Sequence, residues 1–568
     1  MHEILFSLRF ALLLVSLYGS IQYLHRHFRL EFCFGIYFSL LGSSLFLAGI
    51  LNLLREASWA IFLIGLLLAA RSVQKKCSLQ DFFCPGTAFF LLFGVIFLVL
   101  LRGSILVHYD NFSHWGLVAK VMAENHRFPN FSDLAVSFTS YPLGSTVMMY
   151  YLGEILGSRA EWVWMYAQAM VMVGMLVGLF AFTRGMLQNL AAAVFSLFLL
   201  CGNIGFTDLL VDSLLPITAL GAAAACCYHA KELSKRLWVL PVYGIFLLSI
   251  KNSGVLFALA LYCLAWLLIE KRSIKTWLLL LLPPAATLLL WQKHVSLVFS
   301  DGLLSKHSMS PRYLYRMLLR KPVSQLLPIV QEMARAVFTP SNPFLYLLLF
   351  GSLVFLAAGR MQREKRPSRL LLLAAGSYLL YQLGTLGMYL FSMPLDEALR
   401  LAGYARYHQS ILMFTAGLLF LETLLTVNAL PEGTLSRWLR PAAAASVTVL
   451  CWFCLRPELS YFRRQDFESS ERFRFARMVS EYDIKSHGNY LFLVQQERMD
   501  YGYLYYLLQY ELAPQSFQIV ADNALDTANP EGCHYVIAYE HSSEIDAFMA
   551  SLGADGESVV CLRIPEED

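Results

Sequence analysis

Apolar runs separated by short polar connectors fill the first 457 residues of the chain. The first four cover roughly 4–24, 31–54, 57–70 and 86–107. Ten more follow at 161–183, 188–204, 209–229, 237–250, 254–269, 277–292, 343–359, 370–391, 409–427 and 441–457. Most approach the ~20 residues that a helix needs to cross a bilayer core. The pattern predicts a polytopic α-helical membrane protein with about 14 helices. The run 1–24 lacks a leading basic region and a small-residue cleavage site, so it reads as a retained first helix. Within 237–269 the sequence Ser249-Ile250-Lys251-Asn252-Ser253-Gly254 interrupts the apolar pattern. It suggests a broken pair, and irregular backbone at membrane depth is tolerated only where it is buried in protein or lines a cavity.

Beyond about residue 456 the pattern changes. Apolar strands at 490–494, 516–520 and 534–538 alternate with helices at 501–512 and 543–551, which predicts a small α/β domain. Three parts follow: additional N-terminal helices at 1–85, a helical core at 86–457 with outer loops 108–146 and 293–342, and an extracytoplasmic α/β domain at 458–568.

Composition agrees with the pattern. The chain is 57% hydrophobic and 15% charged, against roughly 25% charged in soluble domains. A net charge of +4 is too small to point to nucleic acid, and the charges matter by position. Lys and Arg collect in cytoplasmic loops. If 141–157 does not span, then the basic clusters at 25–29, 71–76, 231–236, 271–275, 360–366 and 437–440 all fall inside. Both termini and the segments 108–146, 293–342 and 458–568 then fall outside. Most of the 11 cysteines lie in apolar runs, where they act as small hydrophobes, although Cys533 and Cys561 could pair. No zinc-like Cys/His spacing, phosphate-cradling glycine loop or G-x-S-x-G elbow is present.

The candidate chemistry centres on 108–146. This stretch carries Asp110, His114, Trp115, Lys120, Glu124, His126, Arg127 and Asp133, a density that a plain connector does not need. Asp110 follows an apolar helix, where it is either a solvated helix-end carboxylate, a general base or a metal ligand. If 110–126 is helical, Asp110, His114 and Trp115 fall near one face with Lys120 not far round it. Asp208 and Asp212 stand one turn apart at the start of 209–229, as functional carboxylates or simply as ones favoured by the helix dipole. Lys251 at the interrupted run is either a phosphate ligand in a cavity or a snorkelling lysine. The loop 293–342 is basic on a side where basic residues are scarce. Lys306, His307 and Arg312 suit an anion, and the alternative is contact with anionic lipid headgroups. Tyr404 and Arg406 precede the 409–427 run, as a lipid-phosphate site or as part of the interfacial aromatic belt.

An outward-running helix, the loop Tyr109-Asp110-Asn111-Phe112-Ser113-His114-Trp115, and Tyr141-Pro142-Leu143-Gly144 opening the next apolar segment together resemble the GT-C superfamily of membrane glycosyltransferases. Protein O-mannosyltransferases and lipid A aminoarabinose transferases belong to that superfamily. The resemblance covers roughly 86–457 in layout. It implies a polyprenyl-phosphate-linked sugar donor, a glycan, lipid or protein acceptor, and catalysis on the outer face of a bacterial plasma membrane. Asp110 would be the base or the metal-linked group, with Asp208 as the second acidic position and Arg406 in an Arg-Tyr pair. His114, Lys120, Tyr141, Lys251, Lys306, His307, Arg312 and Tyr404 would line the substrate. Many members carry two adjacent acids, whereas here Asn111 holds the second place. That departure leaves open whether a divalent metal, Mg or Mn, takes part. An envelope polysaccharide polymerase or ligase, and a lipid or oligosaccharide flippase, are the alternatives.

Overall fold

The computed structural model describes residues 2–75, 79–133, 135–229, 238–269, 273–299, 311–362, 369–430, 433–463, 466–484, 488–499, 502–554 and 560–563. The chain is mostly helical. In order the helices are α1 (His2–His25), α2 (Leu30–Ile50), α3 (Leu54–Gln74), α4 (Pro85–Leu101), α5 (Gly116–Asn125), α6 (Gly144–Leu156), α7 (Glu161–Leu176) and α8 (Met186–Cys201). Then come α9 (Leu214–Tyr228), α10 (Val239–Ile250), α11 (Gly254–Leu268), α12 (Ile274–Val298), α13 (Pro311–Leu319), α14 (Val323–Phe338), α15 (Pro343–Gln362) and α16 (Arg369–Phe391). The last are α17 (Leu395–Leu399), α18 (Tyr404–Asn428), α19 (Thr434–Leu455), α20 (Glu471–Glu481), α21 (Tyr503–Leu512) and α22 (Ser543–Ser551).

Each apolar run is a helix over most of its length. Among the described residues, eight helices are long and apolar enough to cross a membrane, by length and composition alone. A ninth forms if α14 and α15, bent by 41°, count as one span. The helices α4 and α8–α11 are apolar but shorter. The run expected at 57–70 extends to 21 residues. The helix over 141–157 has only 13 residues, about 20 Å of rise, short of a ~30 Å bilayer core.

The chain divides into two compact units. The first takes Met1–Gly103, Met122–Phe128 and Phe138–Arg464. At its centre the apolar window of α7 is fully buried and that of α2 is 72% buried, whereas α1, α3 and α12 turn most of their surface outward. Their exposed Leu12, Leu63, Leu67 and Leu289 form an apolar exterior of the kind that lipid covers. α1 and α3 meet through small residues, since without a hydrophobic drive between helices close backbone approach supplies the contact. A Cβ on Gly19 would lie 2.2 Å from the Gly65 carbonyl oxygen, and one on Gly65 would lie 2.0 Å from Ser16 Oγ. Ser16 Oγ donates to the Phe62 carbonyl at 2.8 Å. Gly19→Val is therefore expected to force the two helices apart and to destabilise by ~1–3 kcal/mol. Denaturant unfolding in detergent micelles measures this, and an unchanged midpoint would contradict the close crossing.

The second unit takes Ser104–Val121, Pro129–Ser137 and Gln465–Asp568. The α/β domain expected at 458–568 is thus present from residue 465, and it also incorporates the loop after α4. Its strands are β1 (Tyr490–Val494), β2 (Phe517–Ala521), β3 (Tyr535–Ala538) and β4 (Cys561–Arg563), in the order β2-β1-β3-β4. β1 is parallel to both β2 and β3, and β4 closes the edge antiparallel to β3. β1 is buried along its whole length, which is why Tyr-Leu-Phe-Leu-Val reads as a continuous apolar run. Leu491, Leu493, Val520, Val536 and Ala538 pack with Ile545 and Met549 of α22. The carboxyl ends of β1 and β3, where the strand order reverses, are occupied by the domain's own ion pairs. Arg498 pairs with Glu540 and lies 3.5 Å from Glu471, and the Tyr539 hydroxyl donates to Glu471 at 2.7 Å. Burial and that carboxylate together hold the Tyr539 hydroxyl well above the usual tyrosine pKa. Cys533 and Cys561 are separate thiols.

Candidate functional site

The site in the first unit begins with an interruption. The apolar run expected as one helix over 209–229 starts as a helix only at Leu214. The backbone from 202 to 213 is irregular, and side chains of other helices satisfy it. Gln168 of α7 donates through Nε2 to the Asp208 and Leu210 carbonyls, both at 3.1 Å. Gln409 of α18 donates to the Gly202 carbonyl at 2.8 Å. Ser213 Oγ accepts from Ile204 N at 3.2 Å and donates to the Ile204 carbonyl at 2.9 Å. Ser410 Oγ accepts from Asn203 Nδ2 at 3.2 Å and donates to the Asp212 carbonyl at 2.7 Å. Buried backbone polar groups need such partners, and an irregular strap inside an apolar bundle persists only where they are supplied.

The second interruption is the one the sequence predicts. α10 ends at Ile250, Lys251 is extended (φ −161°, ψ 155°), and α11 starts at Gly254. Gly254 N donates to the Lys251 carbonyl at 2.8 Å. The start of α6 lies against this break, because a Cβ on Gly144 would sit 2.0 Å from Ser249 Oγ. Gly144 ends the Tyr141-Pro142-Leu143-Gly144 motif, and the Tyr141 ring lies 5.5 Å from that of Phe138.

The two interruptions and the first turn of α18 converge on Asp212. Its carboxylate is 5% exposed. Lys251 Nζ lies 3.3 Å from Oδ1, and Arg406 Nε lies 3.6 Å from Oδ2. The Tyr407 ring faces both cations, 5.4 Å from Lys251 Nζ and 5.5 Å from Arg406 Cζ. At an effective dielectric near 20, each pair attracts by roughly 5 kcal/mol before desolvation is set against it. Asp212 is thus flanked by two cations, one on each carboxylate oxygen. Both cations remain partly accessible, with side chains 14% and 24% exposed. Such a cluster can accept an anion.

Tyr404 stands one turn away in a separate network. It stacks on His408 at 5.4 Å and donates to Gln382 Oε1 at 3.3 Å. His408 Nε2 lies 3.0 Å from the Tyr378 hydroxyl, which accepts from Asn342 Nδ2 at 2.7 Å. Of the two aspartates expected to share a helix face, Asp208 contributes its backbone carbonyl to the strap and Asp212 carries the charge cluster. The shared face does not exist, because neither residue is helical. Lys306 and His307 lie outside the described residues. Arg312 falls in the first turn of α13, and its side chain is likewise outside them.

Asp110 belongs to the second unit. It precedes a single widened, π-type turn, Asn111–Trp115, all five residues of which are buried. Such turns are often found at functional sites. This turn interrupts the regular helix expected over 110–126, which runs as α5 from Gly116. His108 Nδ1 accepts from Asp110 N at 3.1 Å, and the His114 ring meets Trp115 edge-on at 4.6 Å. The loop is built into the α/β domain. Phe112 packs against Tyr503 and Tyr510 of α21 at 5.9 and 5.4 Å. Arg472 of α20 pairs with Glu511, donates to the Leu106 carbonyl at 3.0 Å and lies over the Phe112 and Tyr510 rings. The Tyr503 hydroxyl donates to the Val107 carbonyl at 2.9 Å. Lys120, expected at the substrate, donates to the Tyr510 carbonyl at 2.7 Å. Arg472→Met is expected to leave Glu511 unpaired and to free the loop. Amide exchange over 106–120 should accelerate by at least ~10-fold, and unchanged protection there would show that Arg472 does not hold it.

Among the described residues, no three His, Cys, Asp or Glu side chains are grouped to share a metal ion. Asp110 has Asn111 beside it where a second carboxylate would complete a donor pair, and Asp212 is already balanced by two cations.

The helices define the class, a helical multi-pass membrane protein. No family model, no curated protein and no solved structure matches the chain.

Proposed function

We propose that this chain is a membrane glycosyltransferase, which moves a sugar from a polyprenyl-phosphate donor to a cell-envelope acceptor on the outer face of the plasma membrane. The observation that carries the reading is the Lys251–Asp212–Arg406 cluster. It sets two partly accessible cations where two apolar helices break off, and a lipid phosphate needs both cations and an apolar path for its chain. In the reaction the bond between the anomeric carbon and the phosphate oxygen breaks as the acceptor oxygen attacks, with inversion at that carbon. Charge develops on the departing polyprenyl phosphate, and preorganised cations stabilise such charge more in the transition state than in the ground state. Lys251 and Arg406 have that role, and Asp212 keeps the two cations apart and oriented. The acceptor proton goes to a general base, the role that the sequence offers to Asp110.

The test uses purified protein in nanodiscs with a panel of radiolabelled polyprenyl-phosphate sugars, following release of sugar from lipid. Turnover of one donor, lost in Asp110→Asn, is the expected result. Binding without turnover in the presence of candidate acceptors would favour the flippase alternative. A folded, monodisperse protein that binds no donor would overturn the reading.

A further inference from the structure

A second polar cavity lies elsewhere in the first unit, at the ends of α1, α3, α6 and α7, with a volume of about 260 Å³. Its walls include three arginines, Arg9, Arg55 and Arg159, and one carboxylate, Glu154. Glu154 is 11% exposed and already committed. Its Oε1 accepts from Arg55 Nε and Trp59 Nε1, both at 3.0 Å, and its Oε2 lies 3.4 Å from His126 Nδ1. His126 Nδ1 is also 2.9 Å from the Tyr150 hydroxyl. Glu154 therefore balances Arg55 and leaves Arg9 and Arg159, neither of which has a carboxylate within ion-pair distance among the described residues. Among the lining residues, three guanidiniums face one carboxylate.

Arg9 is seated, not loose. α6 ends in Gly157 with φ +67°, and a Cβ there would lie 2.0 Å from Arg9 Nη1. Only glycine permits both the left-handed backbone and the approach of the guanidinium. The amino ends of α3 and α7 border the same cavity, and helix amino ends favour negative charge. A polar pocket with excess guanidinium, planar donors and room for a small tetrahedral group is suited to an oxyanion.

We infer that this cavity is a phosphate-binding site, distinct from the Asp212 cluster, in which Arg9 and Arg159 take the oxyanion while Glu154 fixes Arg55 as the wall. The phosphate is either a free anion or the headgroup of a membrane lipid. The site stands whether or not the chain is a glycosyltransferase.

Trp59 and Trp164 line the cavity, so tryptophan fluorescence is a direct probe. Wild-type protein in phosphate-free maltoside micelles would be titrated with inorganic diphosphate. Separately it would be titrated with phosphatidic acid, with diacylglycerol as the dephosphorylated control. A saturable change with diphosphate identifies a free anion. A change with phosphatidic acid alone, absent with diacylglycerol, identifies a headgroup. Arg159→Gln, at an exposed position, should weaken either response by about 10-fold, equivalent to one charge-assisted contact of ~1.4 kcal/mol. Arg9→Gln with Arg159→Gln should abolish it. No response from wild type to either probe, or a full response from the folded double variant, overturns the site.

Discussion

Lys251→Met is expected to lower turnover of the lipid-phosphate donor by ~10²–10³-fold, and Lys251→Met combined with Arg406→Gln to abolish it. The magnitude follows from position. Lys251 stands at a break between two apolar helices, and its ammonium lies 3.3 Å from a carboxylate that is almost fully enclosed. On the proposed reaction, a departing phosphate at this break would draw its positive charge from Lys251 and Arg406. Arg406 acts on the same carboxylate from α18, and neither cation can replace the other because they approach different carboxylate oxygens. Donor release rates and equilibrium donor binding separate the two contributions. A loss confined to kcat marks stabilisation of the leaving phosphate, and a loss confined to KM marks ground-state binding. Turnover equal to wild type in the double variant would remove the cluster from the reaction.

The second large effect is on stability. Asp212→Asn removes the carboxylate charge that Lys251 and Arg406 share. Breaking a buried ion pair from one side costs roughly 3–5 kcal/mol. Adding Lys251→Met to Asp212→Asn should recover part of that loss, because one of the two cations goes with it. A coupling of ~1–3 kcal/mol in the double-mutant cycle, read from denaturant unfolding in micelles, is the expected signature. Donor affinity should move the other way in the single Asp212→Asn variant, since the cluster then carries more positive charge. Strictly additive losses in stability would mean that the three residues do not share one electrostatic site.

The helical plan was legible in the sequence because it depends on local pattern. Every apolar run became a helix, and the break at 251–253 was visible as polar residues inside an apolar stretch. The strap at 202–213 was not visible. Its sequence, with Leu209, Leu210 and Val211, reads as the opening of a helix. Backbone partners 40 to about 200 positions away hold it irregular, namely Gln168, Gln409 and Ser410. Pattern alone therefore does not separate the role of Asp212 from that of Asp208. Tyr407 carried no signal beyond its place beside Arg406. Arg472 had none at all, although four tyrosines within α21 are unusual on a small domain's helix and hinted at an aromatic contact. The glycine at 157 and the arginine at 9 are each ordinary alone. Their pairing exists only in three dimensions.

The loop that carries Asp110 is held by α20 and α21, and its partners are far along the chain. Lys120 and Tyr510 are 390 residues apart, and Val107 and Tyr503 are 396 apart. During synthesis at ~5–20 residues per second, roughly 20–80 s separate the loop from the tyrosines that fix it. The apolar helices have their local signals at once, whereas Asp110 acquires its setting only when α20 and α21 have been made and folded. Chains arrested before residue 503 would insert without a finished loop. Synthesis of α20 and α21 thus sets the moment at which the loop can take its final form.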